Sequence, residues 1–352
     1  MSVIGYDIGT FAAKAVLLNI KGKGSSRQVH LLGLGLSQMP PGVMSQWEEQ
    51  PVPARTAMSA AMKSLLKHCK LNAGKFAALS LSGDTMIIKK ITMPITSQKE
   101  LRKSLALEAE QYIPYPINEV IIDGHILSTD DRNGQMSVLL VAARKEVVYS
   151  YIQAISVTKV LKPAVIDVDA LAFYNAYDFH NPDSRDNVVL MDLGASLMHT
   201  TVLYEGSPHT IKEESIGGQR ITEDLEDAFE MSPDEAEAVK LGAAQAPNPA
   251  EAAEVVDRIV SNWIAALDRA LDSVRAEIPE YRPARILLAG GSALLNGLAG
   301  QFQSHFGVQT EIFNPFRDVK FNPKKFDPAY IDYIGPQMAV SFGLAIRKVE
   351  TI

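Results

Sequence analysis

The strongest constraint on this chain is a short pattern that occurs twice. Residues Val3 to Leu18 read as an apolar run, an Asp-x-Gly turn (Asp7-Ile8-Gly9) and a second apolar run. Residues Val188 to Leu203 repeat this around Asp192-Leu193-Gly194. Each is a β-hairpin pattern. One constant shift carries Asp7 onto Asp192, Ile8 onto Leu193 and Gly9 onto Gly194. An internal repeat of this kind implies two half-molecules, each opening on a similar hairpin. The length, 352 residues, suits two ordinary domains or one two-lobed unit.

Several function classes are excluded early. Hydrophobic residues make up 47% and charged residues 21%, too apolar for wholesale disorder. The net charge of −7 argues against a general nucleic-acid binder. The single cysteine, Cys69, rules out an internal disulfide framework and a thiolate-rich zinc site. It continues the stripe Ala54, Met58, Ala61, Leu65 and reads as a buried, inert thiol. The seven histidines, His199 among them, show no metal-ligand spacing and read as ordinary surface or core residues. Trp47 and Trp263 read as core or groove residues. The uncharged stretches Gln28–Trp47 and Ile286–Thr310 are broken by prolines, glycines and amides, so neither reads as a membrane span. With no secretory signal, the expected place is the cytoplasm.

Between the hairpins the pattern alternates. Pro53–Leu71, Gln98–Tyr112 and Lys145–Val157 read as helices. Ala77–Leu81, Met86–Ile91, Val120–Leu127, Val138–Ala143 and Ala164–Val168 read as strands. Leu241–Ala253 reads as an Ala- and Pro-rich linker. It precedes a long helix, Glu254–Ile278, and Gly335–Val349 returns to helix.

The glycine turns carry the chemistry. A glycine after the acid lets the chain turn tightly and brings backbone N–H groups close to an anion. The acid cannot hold a phosphate itself, but it can orient Mg²⁺, mostly through water. Asp7 and Asp192 are the metal candidates. Two facing hairpins would clasp a triphosphate, with Gly9, Thr10, Phe11 and Lys14 on one side and Gly194, Ala195 and Ser196 on the other. Gly290-Gly291-Ser292, after a buried strand, reads as a bare helix start that a nucleotide approaches. Gly217-Gly218 opens a further helix.

In order and spacing these motifs resemble the actin-like ATPase superfamily, in which Ala289–Gly297 is similar to the adenosine motif and Gly217–Asp224 to a pocket segment. Met231–Lys240 resembles the FtsA-type helix whose acid and lysine flank ribose and purine, which implies Glu237 and Lys240. Asp169 sits where that superfamily often presents a water-positioning side chain, so it is the catalytic candidate. Within the superfamily, the stretches Leu107–Asp123, Val141–Asp169 and Asn314-Pro315-Phe316 resemble the PilM family, cytoplasmic actin-like proteins of the type IV pilus inner-membrane platform.

That resemblance implies an α/β, duplicated ribonuclease-H-like fold with two lobes and FtsA-like subdomains. The lobe 1 core would take residues 1–83 and 147–186, with 84–146 an inserted, partner-binding subdomain. The lobe 2 core would take 187–216 and 264–335, with 217–263 a nucleotide-side subdomain. Residues 336–352 would form a helix packing back toward lobe 1. The resemblance also implies ATP or ADP with Mg²⁺, and hydrolysis that is slow or absent. The partner would be a PilN-like bitopic membrane protein, held by its cytoplasmic N-terminal peptide in a nucleotide-sensitive way. Aromatics and prolines after an amphipathic helix can form a ledge for such a peptide, which points to Tyr112, Pro114 and Tyr115. Pilus motor ATPases and further copies of the chain are additional expected partners. The chain would sit at the inner membrane through its partners, without inserting and without binding nucleic acid. An FtsA-like division or filament protein, or a small-molecule kinase of the same superfamily, is the alternative.

Overall fold

The computed structural model describes residues 2–22, 27–44, 51–69, 71, 76–83 and 86–347. Trp47 and the 348–352 end of the expected C-terminal helix lie outside the described residues. The chain opens with β1 (Val3–Ile8), β2 (Ala12–Lys21) and β3 (Gln28–Gln38), followed by α1 (Pro51–His68) and β4 (Phe76–Leu81). An inserted unit comes next: β5 (Met86–Pro94), α2 (Gln98–Ala109), β6 (Val120–Asp130) and β7 (Gln135–Arg144). Lobe 1 resumes with α3 (Lys145–Ser156), β8 (Lys162–Val168) and α4 (Asp169–His180). The second half runs β9 (Val188–Leu193), β10 (Met198–Tyr204), β11 (Ser207–Glu214), α5 (Gln219–Phe229), α6 (Pro233–Lys240) and α7 (Pro249–Glu277). It ends with β12 (Arg285–Ala289), α8 (Leu298–Phe306), β13 (Gln309–Ile312), α9 (Pro328–Ile334) and α10 (Ala339–Ala345).

The repeat seen in the sequence is a repeat of topology. Lobe 1 has the strand order β3-β2-β1-β4-β8 and lobe 2 the order β11-β10-β9-β12-β13. In each, an antiparallel hairpin continues into two parallel strands: β1 pairs β4 and β4 pairs β8, while β9 pairs β12 and β12 pairs β13. The first hairpin pairs Asp7 with Lys14 and the second pairs Asp192 with His199.

Both sheets share one core. Val3, Val16 and Ala78 from lobe 1 and Val188, Leu190 and Leu287 from lobe 2 bury against α4 and α10. The helices approach closely because residue 343 is glycine: a Cβ there would collide with the Ala172 carbonyl. The outer face of lobe 1 is closed by α1 and α3, through Met58, Met62, Tyr151 and Ile155. That of lobe 2 is closed by α7, whose stripe runs Val255, Ile259, Trp263, Leu267, Leu271, Val274. Trp263 is fully buried, and its indole N–H donates to the Ile216 carbonyl at 2.8 Å. Truncating it would cost roughly 3–5 kcal/mol.

The inserted sheet is antiparallel, in the order β5-β7-β6, and is covered by α2. Ser97 and Glu100 form a reciprocal capping box at the start of α2. A lobe 2 segment also reaches back to lobe 1. Lys320 N–H donates to the Val29 carbonyl and Leu31 N–H donates to the Lys320 carbonyl, both at 2.9 Å. This adds a short parallel bridge to the edge strand β3.

Four expectations need correction. The segment 241–253 is not all linker: Asn248 caps α7 by accepting from Glu251 N–H, and Pro249 is its first helical residue. The helix expected over Gln98–Tyr112 stops at Ala109. The C-terminal helix is a 3₁₀ turn, Gly335–Met338, followed by α10, which ends at Ala345. Cys69 is half-buried rather than buried, and burial raises its thiol pKa.

Candidate functional site

The two Asp-x-Gly turns face each other. Thr10 Oγ1 and Ser196 Oγ, one from each turn, are hydrogen-bonded at 2.8 Å. The turns are built alike: Gly9 N–H donates to the Ala12 carbonyl at 3.2 Å and Gly194 N–H to the Leu197 carbonyl at 2.9 Å. These two glycine amides are therefore occupied within their own turns. The amides at the tips, of Thr10 and Phe11 in one turn and Ala195 and Ser196 in the other, donate to no backbone carbonyl among the described residues. Phe11 is 45% exposed.

Behind the turns lies an enclosed charge cluster. Lys14 Nζ donates to Asp7 Oδ2 at 2.8 Å, so cross-strand pairing settles where this lysine points. Burial works against the charge of Lys14, but Asp7, Asp192 and Asp169 outweigh it and its pKa rises. Asp169 begins α4 and accepts a short hydrogen bond from Ser80. Burial, and after it the charge of Asp7, raises its pKa to about 7. Burial also raises Asp192. Three crowded carboxylates of this kind favour a hard cation. Among the described residues no group of three or more His, Cys, Asp and Glu is arranged to hold a metal by itself. A hard cation such as Mg²⁺ would find one or two carboxylates here and would need further oxygen donors from outside the chain.

His199 belongs to this cluster, although its sequence context marked it as ordinary. It lies opposite Asp192 on β10, with Nδ1 3.9 Å from Asp192 Oδ2. Its Nε2–H donates to Glu213 Oε2 at 2.7 Å. Burial alone would lower its pKa; Glu213, Asp169 and Asp192 outweigh burial and lift it to about 9. The signal was in the sequence, since the shift that carries Asp7 onto Asp192 also carries Lys14 onto His199.

The remaining glycine motifs brace the second turn. Gly218 N–H donates to the Gly194 carbonyl at 2.9 Å and Gln219 N–H to the Ala195 carbonyl at 2.8 Å. A Cβ on Gly217 would collide with Ala195, and one on Gly218 with Ser292. Gly290 has φ +90°, and a side chain there would run into Leu193 and Asp192. Ser292 Oγ donates to the Gly194 carbonyl at 3.3 Å. The helix start expected after Gly290-Gly291 is instead a single 3₁₀ turn, Gly291–Leu294, and α8 begins only at Leu298. A Cβ on Gly291 would meet only Gln337 Oε1, at 4.0 Å. At the same end of the cleft, Lys240 Nζ donates to the Gly218 carbonyl at 3.3 Å and to Thr222 Oγ1 at 2.9 Å, and pairs with Glu237.

Tyr112, Pro114 and Tyr115 lie on the inserted unit, away from these turns. Tyr112 and Tyr115 are half-buried against its core, and Pro114 is exposed. The Arg144 guanidinium lies 5.7 Å from the Tyr115 ring centre, where β7 returns to lobe 1. No helix among the described residues is long and apolar enough to cross a membrane.

Duplicated sheets, paired acid-bearing turns and two helices between them define an actin-like, two-lobed ATPase fold. Solved structures share it: EutJ of Carboxydothermus hydrogenoformans (TM-score 0.51, 14% identity, 97% of this chain and 88% of that one) and ADP-bound MreB5 of Spiroplasma citri (TM-score 0.50, 12% identity, 97% and 94%). The match to a PilM-PilN type IV pilus biogenesis complex is much closer. Its TM-score is 0.84 at 28% identity, over 100% of this chain and 99% of the other. The model of the type IV pilus assembly protein PilM family matches residues 5–349, and the chain belongs to that family.

Proposed function

We propose that this chain is an ATP-binding assembly protein of a type IV pilus or related machine, which takes Mg-ATP between its two turns and holds the cytoplasmic N-terminal tail of a PilN-like bitopic membrane protein. One observation carries the nucleotide half. Two related turns, 186 residues apart in sequence at Thr10 and Ser196, meet at hydrogen-bond distance beside three acids and two cations. The partner half rests on family membership and on the match to a complex whose second component is PilN.

In this reading the tip amides of Thr10, Phe11, Ala195 and Ser196 donate to phosphate oxygens, which replace the contact between the two hydroxyls. Lys14 supplies a point charge. Asp7 and Asp192 hold Mg²⁺ mostly through water, and the metal would neutralise phosphate charge. Gly290, Gly291 and Ser292 border the adenosine side, with Gly217 and Gly218 bracing the turn and Glu237 and Lys240 flanking the ribose and purine. Asp169, tied to Ser80, is the residue nearest a water-positioning role, and turnover is slow or absent. Tyr112, Pro114 and Tyr115 form part of the peptide ledge, and the protein sits at the cytoplasmic side of the inner membrane through this partner.

A thermal-shift titration with Mg-ATP tests the nucleotide half. At a free concentration about a thousand times Kd, binding adds about 4 kcal/mol. A flat response at millimolar ATP would remove the proposal. A fluorescent peptide from the partner's cytoplasmic tail tests the other half; Tyr115→Ala should weaken its binding while the nucleotide-induced shift stays.

A further inference from the structure

Three stretches of lobe 1, residues 8–47, 51–83 and 147–166, hold eleven Lys and Arg and no Asp or Glu, in a chain whose net charge is −7. The fold gathers one end of each stretch. Phe76, at the start of β4, lies beside Val3 of β1 and Lys162 of β8, and β2 runs past them to the pair Lys21 and Gln28. The helices α1 and α3 precede β4 and β8, so their C-termini arrive at this same rim. Lys21, Lys63, Lys67, Lys159 and Lys162 are exposed there. Between α3 and β8 the chain makes a fixed loop. The hydroxyl of buried Thr158 donates to the Ile155 carbonyl at 2.7 Å and accepts from Leu161 N–H at 3.2 Å, and Leu161 is buried too. Val157 and Val160 are left outward, 46% and 65% exposed, alternating with Lys159 and Lys162. Lys159 has φ +61°, a backbone that glycine adopts at less cost, yet a cationic side chain stands there. The acids of the neighbouring elements lie elsewhere. Glu146 is at the other end of α3, about 16 Å away by helix rise. Asp178 is on α4 and Asp183 just past it, and α4 covers the opposite face of the sheet from α1 and α3.

We infer that this rim of lobe 1 is a contact surface for an anionic lipid bilayer, with its five exposed lysines meeting headgroup phosphates and Val157 and Val160 entering the headgroup layer. A lysine close to a negatively charged leaflet changes partition about fivefold. Exposed aliphatics set between lysines match a boundary that is charged outside and apolar beneath. Nucleic acid suits the loop less well, since bases stack on aromatic rings and residues 156–163 carry none. The contact is shallow, because no helix among the described residues is long and apolar enough to cross a membrane. A basic patch by itself binds reversibly, and stable anchoring takes a second attachment. In the function proposed above the partner's tail is that second attachment. The rim itself uses neither the nucleotide site nor the peptide site.

The test is cosedimentation of the full chain, without partner or nucleotide, with vesicles of phosphatidylcholine alone and of phosphatidylcholine mixed with phosphatidylglycerol. Wild type should bind the mixed vesicles only, and high salt should release it. Lys159→Gln with Lys162→Gln should lower the partition coefficient about 25-fold, at about fivefold for each charge. Val157→Ser with Val160→Ser should lower it about tenfold and leave the salt dependence as steep. All four side chains are exposed, so the Tm of these variants should match wild type. Arg102→Gln with Lys103→Gln, exposed on α2 of the inserted unit, should leave binding unchanged. Equal binding to both kinds of vesicle, binding to neither, or the same loss from the α2 pair as from the loop lysines would overturn the assignment. So would capture by a single-stranded oligonucleotide that depends on the loop lysines, with no vesicle binding. None of these results bears on the nucleotide or peptide site.

Discussion

Asp7 and Asp192 each stand opposite a cation in their own hairpin, Lys14 in one lobe and His199 in the other. This arrangement decides how the acids should be probed. Asp7→Ala would leave Lys14 enclosed without its partner, and breaking a buried pair from one side costs roughly 3–5 kcal/mol. Asp7→Asn and Asp192→Asn keep the shape and remove the charge. Each should weaken Mg-ATP binding by about tenfold or more, the scale of one charge-assisted contact, as read by calorimetric titration; wild-type affinity in both would place the metal elsewhere. Gly291→Val is a cleaner block, because its Cβ would meet only the Gln337 side chain, at an ordinary contact distance of 4.0 Å. It should abolish the ATP-induced shift with an unchanged apo Tm. His180 gives a pH signature. Its Nε2–H donates to the Pro315 carbonyl at 2.8 Å, and burial holds its pKa below the ordinary 6.5. Near that pH the unfolded chain takes up a proton that the folded chain accepts only in stronger acid, so stability falls as pH drops through this window. His180→Gln should reduce the loss of Tm between about pH 7.5 and pH 5.5; an identical pH slope would show that the imidazole plays no part.

Among the elements, α4 and α10 bear the greatest packing demand, because both sheets use them. Gly343→Ala forces the two helices apart and should lower stability by about 1–3 kcal/mol, the usual cost of overpacking, measurable as a lower urea midpoint with the same slope. The same setting explains what the sequence concealed. Every position of α4 except Asp178 is buried or half-buried, so no one-sided apolar stripe marks it as a helix. β3 carries Gly33 and Gly35, which dilute its strand signal. The other hairpins and the α7 stripe were plain in the sequence because each buries one face at a regular period. In the site, the acid turns were legible from their repeat. The tie from His199 through Glu213 to Gly83 was not, because it joins three distant parts of the chain that only the fold brings together.

At the scale of the whole molecule, the two lobes cannot be separated without opening their shared core. Calorimetry should therefore show lobes 1 and 2 unfolding in one transition that Mg-ATP moves as a unit; two resolved lobe transitions, one of them insensitive to nucleotide, would contradict the shared core. The inserted unit has its own small core of α2 against β5, β6 and β7. The strand-like contact of Lys320 with Val29 and Leu31 has a wider consequence. A bare sheet rim invites another molecule to add a strand, and here the chain has filled the Val29–Leu31 part of that rim itself. A strand laid along the whole of β3 by another molecule would have to displace Lys320 first.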